Sequence, residues 1–302
     1  MWTPWKRPAP AGRQAAPGDF DFYELIAGEA PIINVVDVGA MSLGPHTDAF
    51  DRLLVRGAVR IVGFEPVQAE CDKLNAMHAP ERLYLPYAIG DGRRRTFHEC
   101  NFPMTSSIYE PDSDLLGRFQ GLETLSRVVA TSGIDTHRLD DIPEVADADY
   151  LKVDVQGAEL DVFNGAPNTL RQAVLVHTEA EFVPMYRDQP LFGDVDCALR
   201  RNGFLLHRIL AVASRAFKPL INDNNPDAPG SQALWCEAVY IRNFMSLDAL
   251  PPEKLLKLAL MLHTIYRSID TCAFVLQAYQ RKSGERLFER YMSRLTGRPV
   301  AG

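Results

Sequence analysis

Short, nearly continuous apolar runs recur along the first two thirds of the chain, separated by polar stretches that suit helices. Runs that are apolar on both faces are typical of buried strands in a parallel sheet, because connecting helices cover both sides of such a sheet. The alternation therefore predicts a doubly wound α/β fold, with two later runs as candidates for an antiparallel edge. The five parallel-strand candidates are 32–38, 59–64, 83–89, 150–155 and 173–176, and the edge candidates are 204–209 and 233–241.

The segment after Pro251 has a different pattern, since its apolar residues are spaced alternately by three and four positions. This spacing is a heptad seam, and Pro252 suits the start of a helix that Gly284 would end. A second, shorter helix is predicted over 285–295. The seam leaves two interpretations, docking on the chain's own α/β domain or a homodimer through residues 252–282. The seam consists of Leu255, Leu258, Leu262, Ile265, Ile269, Cys272, Leu276 and Tyr279.

These patterns divide the chain into three parts. Residues 1–18 are rich in Pro, Ala and Gly with little periodicity, which predicts a flexible tail. Residues 19–245 form the predicted α/β domain, with a short helix at 20–26 before the first strand, and 251–296 form a C-terminal helical segment. The stretch 222–230 is dense in turn-forming residues and is predicted to be a loop.

Composition and charge exclude several classes of protein. The 302 residues are 46% hydrophobic and 24% charged, which is typical of a globular protein. A formal net charge of -7 argues against a nucleic-acid partner. The five cysteines are widely spread without a CxxC pair, which favours neither a disulfide framework nor a zinc cluster. With no apolar run long enough for a membrane span and no export signal, we predict a cytoplasmic protein.

The most informative motif is VVDVGAMSLG at 35–44, a buried strand that runs directly into small residues. Glycines there let the backbone turn tightly and approach a ligand that lies over the next helix. Glu65 ends the second predicted strand, where an acid can accept hydrogen bonds from both hydroxyls of a ribose. The ordered pair predicts a nucleotide-like cofactor, although capping of the next helix is an alternative role for Glu65.

The detail of the glycine loop distinguishes between cofactors. A nicotinamide fingerprint would read GxGxxG, but Met41 stands where the second glycine belongs. Asp37 disfavours a pyrophosphate and suits the ammonium and sulfonium charges of S-adenosyl-L-methionine. The loop therefore favours the methyl donor, and a nicotinamide-dependent oxidoreductase is the weaker alternative.

A third block reads DYLKVDVQGAEL at 149–160, with LDD before it at 139–141 and FNGA after it at 163–166. Together with DVGA and FEP, these blocks make residues 32–242 resemble the FkbM-type methyltransferases. The resemblance implies a Rossmann-like class I methyltransferase fold, in which helices cover both faces of a mixed and mostly parallel sheet. The C-terminal helices would be an extension of this fold. It also implies S-adenosyl-L-methionine as donor and O-methylation of a secondary metabolite, a saccharide or a similar small molecule.

The resemblance also implies positions for the donor. The methionine part would be surrounded by the first motif, the ribose would lie at the FEP block, the adenine near the third strand, and a serine of the 106–107 pair would line the pocket. The implied donor-binding residues are Asp37, Gly39, Ala40, Gly44, Glu65, Pro66, Ala88, Asp91, Ser107 and Asp154.

Methyl transfer from a sulfonium requires alignment of the acceptor and removal of a proton. Asp154 and Glu179 fall near the carboxyl ends of predicted strands, where α/β sheets place ligands. His177 would point to the same side of its strand as Glu179. We therefore predict Asp154 or His177 as the base and Glu179 as the residue that orients the substrate; alternatively, His177 is a hydrogen-bonded core residue. No metal site is predicted, because the spacing of these three residues is not diagnostic.

Three further residues affect these predictions. Lys152 alternates with Asp154 and is expected to pair structurally inside the sheet. Glu159 stands at the start of a helix, where an acid complements the helix dipole. Met41 replaces the Asn that is usual in the resembling family, and this departure motivates the main alternative, a methyltransferase-like scaffold protein without turnover that dimerises through its C-terminal helix.

Overall fold

The computed structural model describes residues 19–26, 30–40, 49–54, 59–76 and 80–298. The predicted tail at 1–18 and the predicted donor residue Gly44 lie outside these ranges. The strands are β1 (Ile33–Val38), β2 (Val59–Phe64), β3 (Arg82–Leu85), β4 (Ala88–Ile89), β5 (Arg94–Cys100), β6 (Val128–His137), β7 (Tyr150–Val153), β8 (Leu175–Glu181), β9 (Phe204–Ser214) and β10 (Ala233–Arg242). The helices are α1 (Asp51–Leu54), α2 (Gln68–Ala76), α3 (Ser113–Leu116), α4 (Leu122–Leu125), α5 (Glu159–Asn164), α6 (Pro167–Gln172), α7 (Phe192–Arg201), α8 (Pro252–Thr264), α9 (Ile269–Ser283) and α10 (Leu287–Thr296).

A seven-stranded sheet forms the centre of the α/β unit, in the order β3-β2-β1-β7-β8-β10-β9. Its strands are parallel except β10, which pairs antiparallel with β8 and with β9. The predicted mixed, mostly parallel sheet is therefore confirmed, including its antiparallel edge. Because the chain leaves β1 towards β2 on one side and returns to β7 on the other, the β1/β7 boundary is the switch point where such sheets bind ligands.

Helices cover both faces of this sheet, as predicted. On one face, Val36, Val38 and Val176 pack in one apolar core with residues of α5, α6 and α7. On the opposite face, Cys71 and Leu74 of α2 pack with Tyr84 of β3 and with Ala40. The apolar runs of the central strands are explained by this double burial.

A second sheet of three strands, β4-β6-β5, was not predicted. The single strand predicted over 83–89 was wrong, because the run divides into β3 and β4, which belong to different sheets. β5 and β6 escape prediction because most of their residues are polar or exposed, with only Cys100 of β5 and Thr136 of β6 fully buried. A strand without a buried face shows no apolar alternation.

The C-terminal helices α8, α9 and α10 form a separate compact unit together with the short 3-10 helix Phe22–Leu25, whereas residues 31–250 form the α/β unit. The single long helix predicted from Pro252 to Gly284 was wrong, because α8 ends at Thr264 and α9 begins at Ile269. Arg267, between them, has a left-handed φ of 52°. The homodimer through residues 252–282 stays a prediction. No helix among the described residues is long and apolar enough to cross a membrane.

Candidate active site at the carboxyl edge of the sheet

Gly39 makes the tight turn that follows β1. Its φ is +84°, and a Cβ atom at this position would lie 1.9 Å from the carbonyl oxygen of Asp154. The N–H groups of Gly39 and Ala40 donate to the Phe64 carbonyl at 3.2 and 3.0 Å. The turn therefore brings the ends of β1, β2 and β7 together, and only glycine fits in it.

Asp37 and Lys152 form a buried ion pair across β1 and β7. The two residues are register partners, and Lys152 Nζ lies 3.0 Å from Asp37 Oδ1. The exposed fractions of the side chains are 4% for Asp37 and 17% for Lys152. The structural pairing predicted for Lys152 is confirmed. Asp37 thus lies two residues before Gly39, and the Lys152 ammonium balances the charge of its carboxylate.

Glu65 follows β2 directly and is buried. Its Oε1 accepts a hydrogen bond from the Val67 N–H at 2.8 Å, just before α2 begins. Burial raises the pKa of the Glu65 carboxyl, against the lowering effect of this hydrogen bond. This hydrogen bond closes a turn immediately before α2, and capping of that helix stays the alternative role for Glu65. The role of Glu65 and the half-buried Pro66 at a ribose stays a prediction.

Four acidic side chains, here called the carboxylate cluster, gather on one face of the sheet: Asp154, Glu179, Glu181 and Glu237. Glu179 and Glu237 are register partners on β8 and β10, and residues directly opposite in an antiparallel pair share a face. Glu181 lies two residues beyond Glu179 on the same face. One carboxylate oxygen each from Asp154, Glu179 and Glu237 lies within 4.8 Å of the others.

The cluster is electrostatically crowded. Burial raises the pKa of Asp154, and burial together with the charges of Asp154, Glu181 and Glu237 raises the pKa of Glu179 well above its usual value. Gln156 Nε2 donates to Asp154 Oδ1 at 2.8 Å and to Glu179 Oε1 at 3.1 Å. Gln156 reaches both from a left-handed backbone with a φ of 56°. A neutral amide therefore holds together two carboxylates that repel each other.

His177 is buried between two partners that sequence reasoning did not identify. Its Nε2 lies 2.9 Å from Glu237 Oε2, and its Nδ1 lies 3.1 Å from the Tyr150 hydroxyl. Burial alone would raise the pKa of Glu237, but the hydrogen bond with His177 and the charges of His177 and Lys152 together outweigh it and lower that pKa. The arrangement resembles the hydrogen-bonded core histidine that was the alternative, and the role of His177 as a base stays a prediction.

Comparison with known families identifies the chain. A family model described as the methyltransferase FkbM domain matches residues 37–206. This protein belongs to the FkbM methyltransferase family. S-adenosyl-L-methionine is the methyl donor of that family, so it is the cofactor of this chain.

Two solved methyltransferase structures are distantly similar to this FkbM protein. A 16S rRNA (adenine(1408)-N(1))-methyltransferase from Catenulisporales acidiphilia, solved with its cosubstrate, is 13% identical, with a TM-score of 0.34 over 70% of this chain and 86% of that chain. The N-terminal domain of EvdMO1, solved with S-adenosylhomocysteine, is 11% identical, with a TM-score of 0.31 over 73% of this chain and 77% of that chain. The chain has no match among curated proteins.

Three further residues that were predicted to bind the methyl donor make contacts within the FkbM domain. Ser107 is buried, and its hydroxyl donates to the Gln156 carbonyl at 2.7 Å, so it fixes the loop beside the carboxylate cluster. Asp91 instead pairs with Arg95 at 2.7 Å. Ala88 pairs with β6 in the smaller sheet. Ser107 thus lies close to the cluster, and the predicted places of Asp91 and Ala88 near an adenine remain untested.

Glu159 has a structural role in the loop after β7. Its Oε1 accepts hydrogen bonds from the Val155 and Gly157 N–H groups at 3.0 and 3.3 Å. Burial raises its pKa to about 7. The carboxyl therefore holds the loop that carries Gln156.

Sequence reasoning missed Glu181, Glu237, Gln156 and Tyr150. The alternation that placed His177 and Glu179 on one face also places Glu181 there, so that residue was within reach. Glu237 could not be predicted as a site residue. Its strand was predicted correctly, but the register of that strand against β8 cannot be read from one sequence.

The geometry fits the donor on two observations. The Gly39 turn draws together the carboxyl ends of β1, β2 and β7, beside the β1/β7 switch point where α/β sheets place ligands. The adjoining edge carries more carboxylates than cations among the residues described, and the donor carries positive charge on its sulfonium and its ammonium.

Proposed function

We propose that the protein transfers the methyl group of S-adenosyl-L-methionine to a hydroxyl of a small molecule or saccharide. The observation that carries this proposal is the position of Asp154. Its backbone carbonyl contacts the Gly39 turn, and its side chain belongs to the carboxylate cluster. One residue thus joins the expected donor position to a set of proton-accepting groups.

Three groups would hold the donor. The Asp37 carboxylate would attract its ammonium, the Gly39 turn would let the backbone approach its methionine part, and Glu65 would accept hydrogen bonds from the ribose. The donor, when bound, supplies an electrophilic methyl on a sulfonium that leaves as a neutral thioether. Lys152 holds the Asp37 carboxylate in place through the 3.0 Å ion pair.

Proton removal falls to Asp154 in this proposal. A hydroxyl oxygen becomes a better nucleophile as its proton leaves, and a base is most effective when its pKa is close to the working pH. Burial moves the pKa of Asp154 upward in that direction, and the side chain is only half-buried. The proton of the acceptor hydroxyl goes to the Asp154 carboxylate, and the oxygen forms the new bond to the methyl carbon as the bond from carbon to sulfur breaks.

Glu179 is proposed to position the acceptor. Glu179 is nearly fully buried and tied to Asp154 through Gln156, which supports a fixed hydrogen-bond acceptor for a substrate hydroxyl. Both ring nitrogens of His177 already lie within hydrogen-bond distance of protein groups, which favours Asp154 over His177 as the base.

The proposal is tested by methyl transfer from isotopically labelled donor to a panel of phenols, sugars and polyketide alcohols. Asp154→Asn keeps the shape of the side chain and its contact with Gln156 but removes the base. We expect kcat to fall by about 10²- to 10⁴-fold while donor binding stays within a few fold. The matched control is Glu144→Gln, which changes an exposed carboxyl and should leave kcat unchanged.

Undiminished turnover in Asp154→Asn would remove Asp154 from the role of base. Tight donor binding without transfer to any member of the panel would favour the scaffold alternative over the enzyme.

A further inference from the structure

Three adjacent strands converge on a small space bounded by carboxylate oxygens. Asp154 follows β7, Glu179 lies on β8 and Glu237 on β10, and one oxygen of each lies within 4.8 Å of the others. Ligand oxygens lie about 2.0–2.1 Å from Mg²⁺ and about 2.3–2.6 Å from Ca²⁺, so two ligands of one ion are at most about 4.2 Å apart for Mg²⁺ and about 5.2 Å apart for Ca²⁺. The three oxygens, all within 4.8 Å of one another, therefore need shifts of at most a few tenths of an ångström to surround a single ion.

Glu181 is a second and independent observation at the same place. Its side chain is 1% exposed, and among the described residues its Oε1 has no hydrogen-bond partner. It lies on the same face of β8 as Glu179, and its carboxyl interacts with those of Glu159 and Asp154 and with the Gln189 amide. A buried carboxylate oxygen without a partner is costly, and a nearby cation would remove that cost.

Among the residues described, the four carboxylates outnumber the cationic groups beside them. These groups are Lys152, whose ammonium lies 3.0 Å from Asp37, and His177, which lies beside Glu237. Gln156 bridges Asp154 and Glu179 but carries no charge. Attraction of a cation is strongest where several carboxylates are partly removed from water.

We propose that Asp154, Glu179 and Glu237 bind one divalent cation of the hard class, such as Mg²⁺ or Mn²⁺, with Glu181 as a second layer of negative charge. An all-oxygen set of carboxylates is what these ions prefer. This departs from the sequence-based prediction of no metal, because that prediction considered His177 and not Glu237. Ion binding itself does not depend on the proposed methyl transfer. Its use there does rest on that proposal: an ion that contacts the acceptor hydroxyl would lower the pKa of the hydroxyl.

The test is the binding of Mn²⁺ alone, measured by electron paramagnetic resonance on the full chain without donor or acceptor, with Mg²⁺ as competitor. We expect one Mn²⁺ per chain, displaced by Mg²⁺. In Glu237→Gln and in Asp154→Asn the affinity should fall at least about tenfold, and in Glu181→Gln about tenfold, since outer groups tune metal affinity by such factors. The control Glu144→Gln should bind Mn²⁺ as the wild type does.

Circular dichroism of each variant separates loss of the site from loss of the fold. If Glu237→Gln does not fold, Asp154→Asn and Glu181→Gln decide the outcome. Absence of Mn²⁺ binding in the wild type, or binding that is unchanged in the folded cluster variants, overturns the proposal. Because no donor is present, a failure here is distinct from a failure of methyl transfer.

Discussion

Gly39 and Asp154 are in direct backbone contact, so close that a Cβ atom at Gly39 would lie 1.9 Å from the Asp154 carbonyl oxygen. The contact joins the turn after β1 to the residue that follows β7, and the Asp154 N–H donates to the Val38 carbonyl at 3.0 Å. The position of the proposed base is thus fixed by the same turn that would admit the donor.

Gly39→Ala is expected to damage both stability and donor binding. The substitution places a methyl group against a backbone carbonyl and forces an L residue into a left-handed conformation, so we expect a loss of at least about 2 kcal/mol in the free energy of unfolding. Denaturant unfolding measures it. The matched control is Gly193→Ala in α7, where an added Cβ would meet no atom within 4 Å and stability should not fall. Equal stabilities of the two variants would contradict the account of the turn.

Lys152→Gln should be strongly destabilising, because it leaves the buried Asp37 carboxylate without its cation. Breaking a buried pair costs about 3 kcal/mol. Lys73→Gln is the control, since Lys73 and Glu70 form an exposed pair whose loss should cost less than about 1 kcal/mol. Chemical unfolding of both variants and of Asp37→Asn/Lys152→Gln gives the comparison. The double variant should recover part of the loss, and no recovery would show that the ion pair is not the cause.

The fold was largely predictable because a parallel sheet buried on both faces leaves continuous apolar runs in the sequence. β1 and β2 were found almost to the residue for this reason. β5 and β6 were missed, because their polar, exposed residues show no such runs. The heptad seam misled in another way. Its residues are buried, or half-buried at Ile269, but their spacing alone does not reveal the break between α8 and α9.

Site residues could be predicted only where their positions follow from the pattern of a single strand. Asp154, His177 and Glu179 follow from strand ends and alternation, which are local properties. The partner of His177 is Glu237, which comes from an antiparallel strand, and its register depends on tertiary packing. For the same reason, the gathering of several carboxylates in one cluster could not be predicted from the sequence.

Arg242 is expected to be more important for stability than its place near the end of β10 indicates. Its Nε donates to the Ala173 carbonyl at 2.8 Å and its Nη1 to the Asn202 carbonyl at 2.9 Å, so it caps the ends of α6 and α7. Arg242→Lys cannot make these contacts together and should cost about 2 kcal/mol. Denaturant unfolding should show no comparable loss for Arg201→Lys, an exposed position. Equal effects would refute the capping role.

His263 should make the C-terminal unit sensitive to acid. Its Nε2 lies 2.9 Å from the Phe20 carbonyl and must donate there, so Nδ1 accepts from the Tyr291 hydroxyl in the neutral ring. Burial lowers the pKa of His263, against the raising effect of the Phe20 hydrogen bond. The unfolded state therefore takes up a proton before the folded state does, and stability should fall as the pH drops below about 6.5.

Amide hydrogen exchange in α8 and α10 measures this local stability. Between pH 7.5 and pH 5.5, corrected for intrinsic exchange, protection should fall more in the wild type than in His263→Gln, whose amide can still donate to Phe20. The same pH dependence in both proteins would rule out His263 as the cause.

The central claim is that the edge formed by Asp37, Gly39 and Glu65 binds S-adenosyl-L-methionine. Isothermal titration of the full chain with S-adenosyl-L-methionine, and separately with NADH, tests it most directly. The account predicts micromolar binding of the methyl donor, no binding of NADH, and donor affinity at least about tenfold weaker in Glu65→Gln but unchanged in Glu144→Gln. No donor binding by the wild-type protein, or binding of NADH in its place, would contradict the account.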